Sequence, residues 1–194
     1  MVSSKWIYKI KEGIDYEETF SRLARYTSIK TIMALASMMK WDLHQMDVNT
    51  TFLNGMIEEE VYIEQPQGFE VEDKATHVCK LKKALYGLKQ APRAWYGKID
   101  SFLTSLGFTK SKVDPILYMN IMDDEPVILL LYMDDLFLTG NEKHITETKK
   151  KLSEEFKMKY FGLMHYFLKL EVWKSSEGIF LNQGKYVVEI LKKI

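Results

Sequence analysis

The sequence predicts an α+β fold, an antiparallel sheet with helices packed on one face. Apolar residues recur at helical spacing in separate stretches, short aliphatic and aromatic runs lie between them, and tight turns rather than long crossovers join those runs. The order reads helix, strand, helix, hairpin, helix, hairpin.

The first helix is expected over residues 28–40, where Ile29, Ile32, Met33, Ala36 and Met39 share a face behind Thr27 or Ser28 as N-cap. Leu43 to Phe52 reads as a strand stopped by Asn54-Gly55. Pro92 opens a second helix with a buried stripe of Trp95, Ile99, Phe102 and Leu106, ended by Gly107. Pro126 to Thr139 reads as a hairpin with its tip at Met133-Asp134. Asn141 caps a helix running through Phe156, with Ile145, Leu152 and Phe156 inward. Tyr166–Trp173 and Gly178–Asn182 form a further hairpin, and a helix begins at 185.

Composition excludes several classes. At 194 residues, 46% hydrophobic and 13% aromatic, the chain has enough apolar surface for a sizeable core, which argues against disorder. One cysteine, Cys79, excludes an internal disulfide framework and a Cys-rich zinc site, and suits a reducing, intracellular compartment. The longest apolar run, Val127 to Met133, is far too short to span a membrane. The net charge is zero, but its distribution is uneven. Residues 41–73 carry Asp42, Asp47, Glu58, Glu59, Glu60, Glu64, Glu70, Glu72 and Asp73 without a Lys or Arg. Residues 74–99 carry Lys74, Lys80, Lys82, Lys83, Lys89, Arg93 and Lys98 without a carboxylate. Such a split suggests one face for cations and another for phosphates, although solvated surfaces also look like this.

Two adjacent carboxylates, Asp134 and Asp135, interrupt the apolar hairpin, and a third, Asp47, sits in a mostly apolar strand. Buried without partners they would be costly, so they are solvated, neutralised or metal-bound. A polar hairpin tip is the bland alternative, since Asp suits turns. If the strand lies beside the hairpin, Asp47 and Asp134 meet at one edge of the sheet and repel each other unless cations intervene. Oxygen donors without Cys or His favour Mg²⁺ or Mn²⁺, and a metal pair suits in-line phosphoryl displacement.

Tyr132-Met-Asp-Asp135 resembles the Tyr-x-Asp-Asp signature of reverse transcriptases, and Asp47-Val-Asn-Thr-Thr-Phe-Leu-Asn-Gly55 resembles the first catalytic motif in its copia-type retrotransposon form. Ala84-Leu-Tyr-Gly-Leu-Lys-Gln-Ala-Pro-Arg-Ala-Trp-Tyr96 resembles the motif between them. Phe20–Tyr26, Val61–Phe69 and Phe167–Val172 are also similar to the family, so an ordered set spans nearly the whole chain. The resemblance implies a polymerase palm with a truncated fingers subdomain: partial fingers over 1–40, palm over 41–184 with residues about 56–90 returning to the fingers, and the start of a thumb over 185–194.

It also implies roles. Asp47 and Asp134 would be the principal ligands of two Mg²⁺ or Mn²⁺ ions, with Asp135 in support and the carbonyl of Val48 in the shell. Phe52 would be the steric gate beneath the sugar, or a core aromatic. Tyr86, Gly87 and Gln90 would lie by the incoming dNTP and template, with core as the alternative for Tyr86. Tyr132, Met133, Lys80, Lys82, Lys83, Lys89 and Lys169 would meet the RNA or DNA template-primer, while Trp95 reads as core. The implied partners include the remainder of a polyprotein (integrase, RNase H), with no membrane and a cytoplasmic or virus-like-particle location.

Departures from the family pattern point to decay. A basic segment expected between Glu12 and Gly13 is missing, leaving Lys9, Lys11 and Arg25 as partial substitutes for a triphosphate grip. Arg22 replaces a usual proline, Lys169 a glycine of the primer-side hairpin, and Tyr160-Phe161 an Asp-Leu pair. A non-catalytic remnant is therefore the second expectation. A palm-fold nucleotidyl cyclase is the third, opposed by the Gly87-Leu-Lys-Gln-Ala-Pro92 run.

Overall fold

A computed structural model describes residues 25–71 and 77–193. Lys9, Lys11, Arg22, Glu72, Asp73, Lys74 and most of the Phe20–Tyr26 motif lie outside the described residues. The described chain divides into two compact units, one of residues 50–101 and one built from 25–49 with 102–193.

In chain order the elements are α1 (Tyr26–Met39), β1 (His44–Val48), a short 3-10 helix (Thr51–Asn54), β2 (Tyr62–Ile63), β3 (Cys79–Lys80), α2 (Ala91–Ser105), β4 (Thr109–Lys110), β5 (Leu117–Met122), β6 (Glu125–Tyr132), β7 (Asp135–Gly140), α3 (Glu142–Glu155), β8 (Met158–Leu163), β9 (Tyr166–Phe167), β10 (Leu170–Lys174), β11 (Ile179–Asn182) and α4 (Gly184–Leu191). The α+β expectation holds. The larger unit carries an antiparallel sheet in the order β4-β5-β6-β7-β1-β8 and a three-stranded sheet β11-β10-β9.

Helices do not keep to one face. Strand residues alternate sides, and Gln45 and Asp47 of β1, with Leu43 just before it, point one way while His44, Met46 and Val48 point the other. On the first side Leu43, Ile128, Leu130 and Phe137 pack with Ile29, Ile32, Met33 and Ala36 of α1. On the second, buried His44 bonds Glu142 of α3, and Val127, Leu129, Leu131, Leu136 and Leu138 are also buried. The continuous apolar run of β6 has that cause: both of its faces are covered.

Several boundaries differ from the sequence reading. Helix α1 starts at Tyr26 behind Arg25, without a side-chain cap, and Met39 is exposed at the end of its stripe. Strand β1 ends at Val48 rather than Phe52: Thr50 takes a left-handed φ of 51° and the chain turns into the 3-10 helix. On α2 the buried stripe continues from Ile99 to Leu103, both fully buried, while Phe102 is half-buried with its ring edge-on to Phe156 at 5.2 Å. Strands β5 and β8 carry no clean alternation and were not expected. The stretch Tyr166–Trp173 is two strands, broken by a two-residue turn at Leu168-Lys169 with φ 48° and 66°. Asn141 caps α3 as expected, its side chain accepting from the Lys143 N–H at 2.9 Å.

In the smaller unit Ala84, Leu88 and Ala91 form a core with Phe52, Ile57, Val61, Leu81, Leu85 and Ala94 against it. Gly55 is needed there for close approach, not for a left-handed turn: its φ is −79°, and a Cβ would meet the Trp95 nitrogen at 2.7 Å.

Candidate active site

Strand β1 lies between β7 and β8. Its register pairs Asp47 with Asp135 on one side and with Lys159 on the other. The tip joining β6 to β7 is the two residues Met133-Asp134, with Met133 at φ 56°. One further bond closes the arrangement, the Val48 N–H donating to the Asp134 carbonyl oxygen at 2.9 Å. The expected meeting of the strand with the hairpin tip is therefore present, and Asp47, Val48, Asp134 and Asp135 come together.

The electrostatics agree with this placement. Burial, then the charge of Asp134, pushes the Asp47 carboxyl above its ordinary range, with Lys159 opposing. Burial also raises Asp135, a hydrogen bond from Gln45 opposes the rise, and the charges of Asp134 and Asp47 add to it. Gln45 Nε2 donates to Asp135 Oδ1 at 3.1 Å. Sequence reasoning missed Gln45 and Lys159. The signal for Gln45 was its position two residues before Asp47, hence on the same face of β1; the signal for Lys159 lay in β8, a strand the sequence did not reveal.

Opposed carboxylates with only oxygen donors fit hard divalent cations in chemistry. Among the described residues no three His, Cys, Asp or Glu side chains close into a ready-made metal cage, so Asp47 and Asp134 would have to turn toward an ion beside Asp135, whose Oδ1 is held by Gln45.

The other expected residues lie elsewhere. Tyr132 is half-buried against the α1 core, and Met133 is exposed. Arg25 is exposed at the N-cap of α1. Lys169 is exposed on the β9–β10 turn, its ammonium 4.1 Å from the centre of the Tyr186 ring. Phe52, Tyr86, Gly87 and Gln90 belong to the smaller unit. There Phe52 packs at the core, its ring 4.6 Å from exposed Tyr86. Gly87 takes φ 92° in a turn closed by the Leu88 N–H on the Leu85 carbonyl, and nothing lies within 4 Å of where its Cβ would be. The Gln90 carbonyl accepts from the Ala94 N–H at the start of α2. Trp95 is buried, as expected.

The acidic and basic segments are not two separate faces throughout. Strands β2 and β3 pair Tyr62 with Lys80, and Lys80 bonds Glu60 at 2.5 Å. Lys82, Lys83 and Lys89 are exposed. No described helix is long and apolar enough to cross a membrane.

Comparison with known proteins gives the lineage. A family model described as reverse transcriptase (RNA-dependent DNA polymerase) matches residues 4–194. The chain is 43% identical over 190 residues to the retrovirus-related Pol polyprotein from transposon TNT 1-94 of Nicotiana tabacum, covering 96% of this chain and 14% of that protein. It is 40% identical over 187 residues to the corresponding polyprotein from transposon RE1 of Arabidopsis thaliana, at 96% and 13% coverage. The transposon Ty1-DR1 Gag-Pol polyprotein of Saccharomyces cerevisiae is 28% identical over 184 residues, at 90% and 10%. The chain thus spans about one seventh of its plant relatives' length.

Proposed function

Because the chain belongs to the reverse transcriptase (RNA-dependent DNA polymerase) family, we propose that it is the polymerase core of a copia-type retrotransposon Pol polyprotein. In the proposed reaction the oxygen of a primer 3′-hydroxyl bonds to the α-phosphorus of a dNTP and pyrophosphate leaves, on an RNA or DNA template. The observation that carries this reading is the direct pairing of Asp47 with Asp135, locked beside the hairpin tip by the Val48–Asp134 bond.

Asp47, Asp134 and Asp135, with the carbonyl of Val48, would hold two Mg²⁺ or Mn²⁺ ions. Bound there, the ions would neutralise the carboxylates and the phosphate charge that develops during transfer. The chain's own contribution is placement. Strand pairing fixes two carboxylates to a rigid sheet and the two-residue tip delivers the third, so little ordering remains when substrate arrives. Phe52 would limit room at the sugar 2′ position, and Lys82, Lys83 and Lys89 would contribute sequence-independent phosphate contacts. Integrase and RNase H would be supplied by other parts of the polyprotein, in the cytoplasm or in virus-like particles.

A second reading, a folded remnant without turnover, draws support from Lys169, which occupies a left-handed turn position that favours glycine. Primer extension on a homopolymer template with Mg²⁺ or Mn²⁺ separates the two. Extension that disappears in Asp134→Asn supports the polymerase. No extension by the unsubstituted chain supports the remnant.

A further inference from the structure

We propose that Gln45 is a positioning residue for the carboxylate site, holding the Asp135 side chain in the orientation that lets it share a divalent cation with Asp47. The inference rests on the polymerase reading and names a residue outside the acidic trio.

Three features carry it. Gln45 Nε2 donates to Asp135 Oδ1 at 3.1 Å, so one carboxylate oxygen is engaged and the side chain is held by a neighbouring strand. The pairing register sets Gln45 against Phe137 and Asp47 against Asp135, which makes Gln45 and Asp135 a diagonal pair. Diagonal neighbours on one face lie about 7–8 Å apart, a span that a glutamine side chain covers and an asparagine does not. Finally, Asp135 is the first residue of β7, next to a tip whose Met133 has a left-handed φ. A carboxylate at a strand end facing another carboxylate tends to rotate away from it. The Gln45 amide opposes that rotation by binding the oxygen, and as a neutral donor it adds no competing charge. Partners of this kind behind a metal ligand fix its orientation.

The test is Mn²⁺ titration of the whole chain, followed by electron paramagnetic resonance of the free ion, together with primer extension at varied Mn²⁺. Gln45→Met keeps the length and removes the donor; it is expected to lower the metal-free melting midpoint only slightly, by the loss of the one hydrogen bond to Asp135. Its Mn²⁺ affinity is expected to fall about tenfold. Lost extension should return at saturating Mn²⁺, which an unspecific structural defect would not allow. Gln45→Asn should behave like Gln45→Met, because it is too short to reach. In an Asp135→Ala background Gln45→Met should shift the half-saturating Mn²⁺ less than about twofold, since the acceptor is gone. Unchanged affinity in Gln45→Met, full activity in Gln45→Asn, or an equal shift in both backgrounds overturns the inference while leaving the polymerase reading intact. Absence of any Mn²⁺ uptake sensitive to Asp47→Asn instead overturns the polymerase reading, and this inference with it.

Discussion

Asp47 and Asp135 face each other as direct partners across β1 and β7, like charges at one of the closest side-chain positions an antiparallel sheet offers. Opposed like charges cost a strand pair about 0.2–1 kcal/mol. Both carboxyls are held above their ordinary range by burial and by neighbouring charge. A raised carboxyl pKa means that the folded chain disfavours the ionised form. The associated stability is present below the unfolded value near 3.9 and is lost as pH rises through the folded value. In metal-free buffer, Asp135→Asn is therefore expected to raise the melting midpoint at pH 7 and to have little effect near pH 3. Calorimetry with a chelator present checks this.

The same pairing sets the functional expectation. Asp47→Asn and Asp134→Asn should each lower primer extension by at least about 10²–10³-fold, with folding intact by circular dichroism. Adding Mg²⁺ or Mn²⁺ to the unsubstituted chain should raise its melting midpoint, and either substitution should weaken that rise. A variant that keeps full extension would remove that aspartate from the chemistry.

Lys169 occupies left-handed backbone at φ 66°, which costs a residue with a Cβ about 1–2 kcal/mol. Lys169→Gly and Lys169→Ala both lose the contact with Tyr186, so their difference isolates the backbone. Glycine is expected to be the more stable by about 1 kcal/mol in urea unfolding. Equal stabilities would remove the backbone strain.

Gly55→Ala is expected to destabilise the smaller unit by about 1–3 kcal/mol. The new methyl would sit 2.7 Å from the Trp95 nitrogen, against helix backbone rather than a side chain that can swing away. Protease resistance of the unit and urea midpoints measure the effect.

Buried His44 uses both ring nitrogens, Nδ1 with the Tyr160 hydroxyl and Nε2 with Glu142 Oε2, each at 2.8 Å. Tyr160→Phe strands one of them and should cost about 1–3 kcal/mol. A loss under about 0.5 kcal/mol would show that water replaces the hydroxyl without penalty.

The most legible parts of the fold were those where one local signal sufficed. The β6–β7 hairpin announced itself by an apolar run cut at Met133-Asp134, and α3 by its Asn141 cap. Strand β8 could not be read because its exposed residues include Tyr160, Phe161 and Leu163; it is a strand through backbone pairing with β1, not through a buried face. The break at Leu168-Lys169 was hidden because neither residue carries a turn preference. At the site, the aspartates were recognisable as residue types out of place in apolar surroundings. Gln45 and Lys159 were not, since their part in it comes from register, which only the assembled sheet specifies.

Strand β8 is an outer strand of the six-stranded sheet, and its pairing with β1 slips by one residue between Gln45 and Met46. Phe161 is the extra residue, and exposed Lys157 and Lys159 stand on the same short segment. A kinked, cationic border is a poor template for another chain's backbone. The irregularity beside the acidic cluster thus also discourages neighbouring copies from zipping together. Straightening the border by deleting Phe161 should show itself as turbidity and fibrillar aggregates well before any change in secondary structure.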